Sequence, residues 1–189
     1  MSILDIRVLG DPILRQATKP VAEITPELLR LMDDMFDTMY HARGIGLAAP
    51  QVGRLERLAV IDLGDDPFAI INPLIVTSSA AREKGEEGCL SIPDVYADVE
   101  RPTGVTVIAM DRDGEVYERD ATGLLARCLQ HEMDHLDGKL FLDYLSMLKR
   151  TAAMAKWKLK QEEYPGFIRR VSLETPEQLS EHEHPEEEL

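Results

Sequence analysis

Residues 122–138 read TGLLARCLQHEMDHLDG, a pattern that predicts a helix bearing two histidines on one side. The stretch opens on a threonine, a residue that commonly caps helices, and closes on a glycine beyond the last apolar position. Because a helix advances about 100° per residue, His131 and His135, four positions apart, lie on one face. Both imidazoles can therefore reach a single metal ion, and Glu132 lies beside that face within reach of a water bound there.

The apolar residues of the same stretch favour a buried helix. One stripe, about 60° wide, contains Leu124, Cys128, His131 and His135, and a second stripe beside it contains Leu125, Leu129 and Leu136. A helix that is apolar over so much of its surface is normally buried. Buried imidazoles need polar partners, and a shared metal ion supplies one to both rings. The alternative, two histidines and a glutamate on an exposed helix surface, stays open at this point.

A catalytic metal site of this kind uses three protein ligands and leaves one position for water. Downstream of the helix, Asp137 and Asp143 lie too close along the chain to serve as the third ligand. Upstream, residues 87–91 read EGCLS, where Gly88 permits a close backbone approach and Cys89 offers a thiolate suited to zinc or ferrous iron. The alternative for Cys89 is an ordinary buried cysteine.

A third segment, residues 44–51, reads GIGLAAPQ and follows a predicted helix. Its two glycines and its small residues suit a loop that lies close against another part of the molecule. Taken alone, the segment fits a tightly packed turn better than an active-site loop, and Gln51 carries no distinctive signal.

The whole chain predicts an α+β fold. Helices are predicted at 26–42, 122–135 and from 147 to about 163, each starting at or just after a threonine or serine. Strands are predicted at 57–62, 68–76, 104–110 and 115–119, where apolar and β-branched residues predominate and a DRDG turn separates the last two.

Together the three segments resemble the peptide deformylase family. They match its G-x-G-L-A-A-x-Q, E-G-C-L-S and H-E-x-D-H motifs in order, and the resemblance runs from about Gly10 through the helix after Tyr144. It implies a compact single domain whose strands surround the central metal-bearing helix, with a further C-terminal helix. The expected division is a catalytic domain at 1–165, including the C-terminal helix at about 147–163, and an acidic extension at 166–189.

The resemblance also implies the chemistry of the site. Cys89, His131 and His135 would bind one divalent metal ion, with Fe²⁺ the expected physiological ion and Zn²⁺, Ni²⁺ or Co²⁺ as alternatives. Glu132 would act as general base. The reaction would remove the N-formyl group from the N-terminal formylmethionine of newly synthesised polypeptides and release formate, an N-terminal methionine processing step of protein biosynthesis.

The same resemblance implies roles for the residues around the metal site. The Gln51 side-chain amide and the Leu90 backbone N–H would stabilise the negative oxygen of the tetrahedral intermediate. The expected substrate-binding residues are Gly44, Ile45, Gly46, Gly88, Leu124 and Cys128. Glu87 and Arg101 are expected to pair and orient the Cys89 loop, and Arg127 stands on the pocket side of the helix, where the family often has an apolar residue.

The sequence leaves two alternative functions, a second kind of enzyme and a binding module. A zincin-like metallopeptidase would need a third ligand downstream of the helix, and Cys89 in its glycine-flanked motif argues against it. A non-catalytic, metal-stabilised binding module would be expected to lack Glu132 or Gln51, and both are present.

Composition limits the partners and the compartment. The net charge of −14 argues against non-specific nucleic-acid binding over most of the surface, and no sequence-specific nucleic acid is expected. The absence of a long apolar run argues against a membrane anchor. Two cysteines fit a reducing compartment, so a cytoplasmic protein is expected. Residues 145–163 nevertheless carry a local charge of about +3, which suggests that this helix contacts the ribosome. The alternative is a helix that packs Leu148, Met154 and Trp157 on the body and leaves its lysines in solvent.

Overall fold

The structure, a computed structural model, describes residues 2–64 and 66–171. The helices are α1 (Pro26–His41), α2 (Gly123–Leu136) and α3 (Met147–Lys160). The strands are β1 (Ile6–Arg7), β2 (Gly46–Ala48), β3 (Leu58–Ile61), β4 (Phe68–Ser78), β5 (Arg82–Cys89), β6 (Ile92–Pro102), β7 (Gly104–Met110), β8 (Val116–Thr122) and β9 (Ile168–Arg169). The mixture of helices and antiparallel strands is the α+β class that the sequence predicts.

A five-stranded antiparallel sheet of order β2-β3-β4-β7-β8 separates α1 from α2. Alternate residues of a strand point to opposite faces, and β3 shows the result: Leu58 and Val60 pack with α1, whereas Ala59 and Ile61 pack with α2. Burial on both faces explains why β3 is apolar throughout. The sheet and its small alanines thus form the floor on which the histidine-bearing helix lies.

A separate hairpin, β5 paired with β6, covers another side of α2. Its inner face forms a third apolar cluster with the N-terminal segment and with α3, in which Trp157 is fully buried and stacks on Tyr164 at a ring distance of 5.7 Å. The short strands β1 and β9 pair antiparallel beside this cluster, so the chain after α3 returns to the N-terminal segment.

Most predicted elements are present with boundaries shifted by a few residues, and two expectations are wrong. Leu124, predicted in the buried stripe of α2, is 59% exposed because it lies in the first turn, beyond the cover of the sheet. Of the three α3 residues that the alternative to ribosome contact packs on the body, Trp157 is buried as expected, whereas Leu148 and Met154 are exposed. The sequence pattern does not predict the strands β1, β2, β5, β6 and β9.

Within the described residues, none of the helices has the length and the hydrophobicity that crossing a membrane requires. The division of the chain at residue 165 stays a prediction. Residues 172–189, which contain most of the expected acidic extension, lie outside the described part of the chain.

Candidate metal centre

Helix α2 and the end of β5 bring one thiol and two imidazoles together. The ligand atoms of Cys89, His131 and His135 all lie within 4.8 Å of one another, and Cys89 Sγ is 3.2 Å from His135 Nε2. The two rings lie on one face of α2 because four residues complete about one helical turn. A thiolate and two imidazoles at these separations suit one borderline-soft divalent cation, so the residues fit the predicted metal.

Glu87 orients one of these rings. Its carboxylate accepts a hydrogen bond from His131 Nδ1 at 3.0 Å, which leaves Nε2 of that ring as the atom available to a metal. Burial opposes ionisation of Glu87, but hydrogen bonds from Arg101 and His131 outweigh it and lower its pKa to about 2. The carboxylate therefore stays charged and keeps the imidazole in one tautomer.

Two arginines hold Glu87 in place. Arg101 donates to it from Nε at 2.5 Å and from Nη2 at 2.9 Å, which is the ion pair that the sequence predicts. Arg127 donates to the same carboxylate at 2.8 Å and also to the backbone carbonyls of Val99 and Glu83 at 2.9 and 3.0 Å. Arg127 lines the cavity but bonds mainly to the hairpin, a role that its place in the sequence does not predict.

The Glu132 carboxylate lies against the backbone of β2. Its side chain is 4% exposed, its Oε2 atom has no hydrogen-bond partner among the described residues, and burial raises its pKa to about 7. A Cβ atom added to Gly46 would overlap Glu132 Oε1. Glycine at this position is therefore what allows the carboxylate to reach the cavity.

The side chain of Gln51 is fixed at both ends of its amide. Its Oε1 accepts from the Ala48 N–H at 2.8 Å, while its Nε2 donates to Ser91 Oγ at 3.2 Å and lies 3.5 Å from Cys89 Sγ. The NH₂ group is thus directed towards the thiol. Leu90 and Ser91 form the two-residue loop of the β5–β6 hairpin, next to the same thiol.

A cavity of about 540 Å³ opens onto this cluster. It is lined by all six of the predicted substrate-binding residues, namely Gly44, Ile45, Gly46, Gly88, Leu124 and Cys128. It is also lined by Gln51, Leu90 and Glu132, and by two of the three predicted ligands, whereas His135 lies buried behind them. Burial raises the pKa of the Cys128 thiol, so this cysteine is a neutral wall residue.

One residue of the cavity wall comes from a part of the chain that gave no sequence signal. Arg169, in β9, lines the cavity and donates from Nη1 to the Leu90 carbonyl at 3.1 Å. By sequence it falls in the predicted extension beyond the catalytic domain, and only the pairing of β9 with β1 brings it to the site.

Comparisons with known proteins agree with this geometry. Residues 3–151 match the family model described as Polypeptide deformylase. The chain is 52% identical over 174 residues to a peptide deformylase of Mesorhizobium japonicum, covering 89% of this chain and 99% of that one. A relative from Hydrogenovibrio crunogenus is 53% identical over 166 residues, covering 86% and 98%.

Solved structures give the same result. A peptide deformylase from Legionella pneumophila superposes with a TM-score of 0.82 at 49% identity, covering 87% of this chain and 99% of that one. One from Synechococcus elongatus, in complex with actinonin, superposes with a TM-score of 0.79 at 50% identity, covering 82% and 86%. The chain belongs to the peptide deformylase family.

Proposed function

We propose that this chain is a metal-dependent hydrolase that removes the N-formyl group from the N-terminal formylmethionine of newly synthesised polypeptides and releases formate. Family membership supports the reaction. The observation that carries it is the position of Glu132, a buried carboxylate that faces the same cavity as the thiol and imidazole cluster. Hydrolysis of an amide at a metal ion requires both a proton acceptor and a set of metal ligands beside it.

Cys89 Sγ and the Nε2 atoms of His131 and His135 would hold one divalent ion, and we propose Fe²⁺. Zn²⁺, Ni²⁺ and Co²⁺ suit the same ligands, because sites of this kind discriminate weakly between these ions. When bound, the ion would supply Lewis acidity, making water more acidic and the formyl carbonyl more electrophilic.

Glu132 would move the protons. Its carboxylate would accept a proton from the attacking water and return one to the departing amine. Burial raises its pKa to about 7 in the absence of a metal ion, and a bound cation would lower it, which favours the carboxylate form that accepts the proton.

Gln51 and Leu90 would stabilise the oxygen that becomes negative during attack. The Gln51 amide is held with its NH₂ group towards Cys89, and the Leu90 N–H lies in the loop that follows this cysteine. Fixed donors of this kind cost no reorganisation during the reaction, and the loss of one typically lowers the rate about 100- to 1000-fold.

The remaining cavity wall suits an extended, formylated peptide. The backbones of Gly44, Gly46 and Gly88 border the cavity and can pair with a peptide strand. Ile45 and Cys128 offer apolar surface for a methionine side chain. Leu124, exposed at the first turn of α2, would contact the same side chain at the mouth.

Neither alternative function is favoured. A zincin-like peptidase would take a third ligand from downstream of α2, whereas Cys89 lies upstream and adjoins both histidines. A binding module would have no need for a buried Glu132. We further propose that the enzyme is cytoplasmic and acts on nascent chains. We propose no sequence-specific binding of nucleic acid.

The first experiment measures formate release from a formyl-Met-Ala-Ser peptide by anaerobically purified protein with its metal content determined. Glu132→Gln should lower kcat about 100-fold or more, because the proton acceptor is lost while shape and metal are kept. The matched control is Glu118→Gln, an exposed glutamate on β8. Metal-loaded wild-type protein that released no formate would refute the proposal.

We also propose that the outer face of α3 contacts the ribosome. Lys149 and Lys156 are exposed on one flank of the buried Trp157 and Lys158 on the other, and Leu159, opposite Trp157, is 84% exposed. Reversing Lys156 and Lys158 to glutamate should reduce co-sedimentation with ribosomes, whereas reversing Lys84 and Arg112, exposed elsewhere, should not. Equal co-sedimentation of both variants would count against the contact.

A further inference from the structure

The loop of the β5–β6 hairpin has only two residues, Leu90 and Ser91, and yet it adjoins two groups of the proposed mechanism. Cys89 ends β5 and pairs with Ile92, which begins β6, so the loop projects directly from the metal ligand. The backbone groups of a two-residue hairpin loop are not bonded to each other across the ladder. The Cys89–Ile92 pair holds the Cys89–Leu90 peptide, whereas the direction of the Leu90–Ser91 peptide depends on contacts from outside the hairpin.

Three such contacts reach this loop. The Leu9 N–H donates to the Ser91 carbonyl at 2.8 Å, and Gln51 Nε2 donates to the Ser91 hydroxyl at 3.2 Å. Arg169 Nη1 donates to the Leu90 carbonyl at 3.1 Å. Leu9 and Arg169 are far apart in the sequence, so two distant segments hold the loop that carries a proposed oxyanion donor.

The backbone of Arg169 is itself firmly placed. Arg169 pairs with Ile6 across the β1–β9 ladder, and the Val8 N–H donates to the Phe167 carbonyl at 3.0 Å. The Phe167 ring lies so close over Gly10 that a Cβ atom there would overlap it. Arg169 therefore reaches the loop from an anchored strand, although it lies beyond residues 3–151, which the family model matches.

We propose that Arg169 is a positioning residue for the oxyanion donor. By binding the Leu90 carbonyl, its guanidinium holds the plane of the Leu90–Ser91 peptide. It thereby limits rotation about the Leu90 Cα bonds that join this plane to the one carrying the Leu90 N–H. A charged donor holds a carbonyl more strongly than a neutral one does. The inference rests on the proposed function, in which the Leu90 N–H stabilises the developing negative charge.

The test compares Arg169→Met, which keeps the aliphatic stem of the side chain, with Arg169→Lys, which keeps the charge. The control is Arg170→Ala, which removes a positive charge from the exposed neighbouring residue. Arg169→Met should lower kcat about 10- to 100-fold, since a misdirected donor costs less than a deleted one, and should change KM less than about twofold. Lysine should restore part of kcat, and Arg170→Ala should match wild type.

Exchange of the Leu90 amide hydrogen, followed by NMR, gives a reading that does not depend on turnover. It should be faster in Arg169→Met than in wild type, with metal content and Tm unchanged. Wild-type kcat and exchange in Arg169→Met would overturn the inference. The inference would also be overturned if the KM of Arg169→Met, relative to that of wild type, rose with peptide length while kcat stayed constant. Arg169 would then contact the substrate directly. Failure of wild-type enzyme to release formate would instead refute the proposed function.

Discussion

At the scale of single residues, the site depends on a position without a side chain. Gly46 lies against the Glu132 carboxylate, and an added Cβ atom would overlap Oε1 and crowd the two carbons behind it. Gly46→Ala should therefore displace Glu132, the proposed proton acceptor, and lower kcat about 100-fold, with metal content retained. Steady-state kinetics and metal analysis would check this.

The comparison for that variant is Gly44→Ala. Its added Cβ atom would meet mainly the terminal carbon of the Leu90 side chain, at 2.7 Å, which can move aside by rotation. We expect a clearly smaller loss of kcat. Wild-type kcat in Gly46→Ala would mean that Glu132 has room to move and that the close contact with β2 is irrelevant to catalysis.

A second prediction at this scale concerns Glu87 and pH. In the folded protein its pKa is about 2, below the ordinary value of 4.5, so its ion pairs stabilise the fold above about pH 4.5 and are lost as pH falls towards 2. Arg101→Met leaves the buried carboxylate without its main partner, which should cost about 3–5 kcal/mol at pH 7. The difference from wild type should shrink as the pH falls, because a protonated Glu87 needs the arginine less.

Urea unfolding in the presence of a chelator would measure these free energies without a contribution from metal release. Arg82→Met, which breaks an exposed pair with Glu100, should change the stability by less than about 1 kcal/mol at every pH. A cost of Arg101→Met that did not vary between pH 7 and pH 3 would contradict the assignment of Glu87 as the titrating partner.

The sequence predicts residues of this site unevenly, for a physical reason. His131 and His135 follow from helical spacing alone, and the Glu87–Arg101 pair follows from the resemblance. Arg127 and Arg169 act on hairpin carbonyls, and the position of a carbonyl depends on how the hairpin packs. No local pattern of residue types records that packing, so neither role could be read from the sequence.

At the scale of elements, the sequence predicts those strands whose own residues are apolar and buried. Strands β3, β4 and β7 contribute to the packed layers and are rich in apolar residues. Strand β5 reads REKGEEGC, with five charged residues in eight positions, and most of its side chains are exposed. It is a strand because it pairs with β6, so its conformation comes from cross-strand hydrogen bonds and not from its own residue preferences.

Helix α3 yields a prediction of its own. Trp157 is fully buried and stacks on Tyr164, whereas Leu159, two residues later, is exposed. Trp157→Ala should destabilise the protein by about 3–5 kcal/mol, and Leu159→Ala by less than about 0.5 kcal/mol. Urea unfolding of the two variants would test this. Similar losses would mean that the outer face of α3 is also packed.

At the scale of the whole molecule, the ligand cluster joins parts of the core that pack separately. Helix α2 belongs to the apolar cluster on the main sheet, whereas Cys89 packs against the cluster that contains Trp157. A metal held by Cys89 and both histidines would link the hairpin to the sheet across their shared boundary. The catalytic ion is thus expected to be a structural tie as well.

Removal of the metal should therefore lower the stability of the entire fold. An ion present at 100 times its Kd stabilises the folded state by about 2.7 kcal/mol, which corresponds to a Tm shift of roughly 5–10 °C for a chain of this size. Anaerobic scanning calorimetry with and without a chelator would measure the shift, and added Co²⁺ or Zn²⁺ should reverse it. Cys89→Ala, which lacks one ligand, should show a much smaller response to the chelator. A wild-type Tm that stayed constant while metal analysis showed complete loss of the ion would mean that the hairpin and the sheet hold together without it.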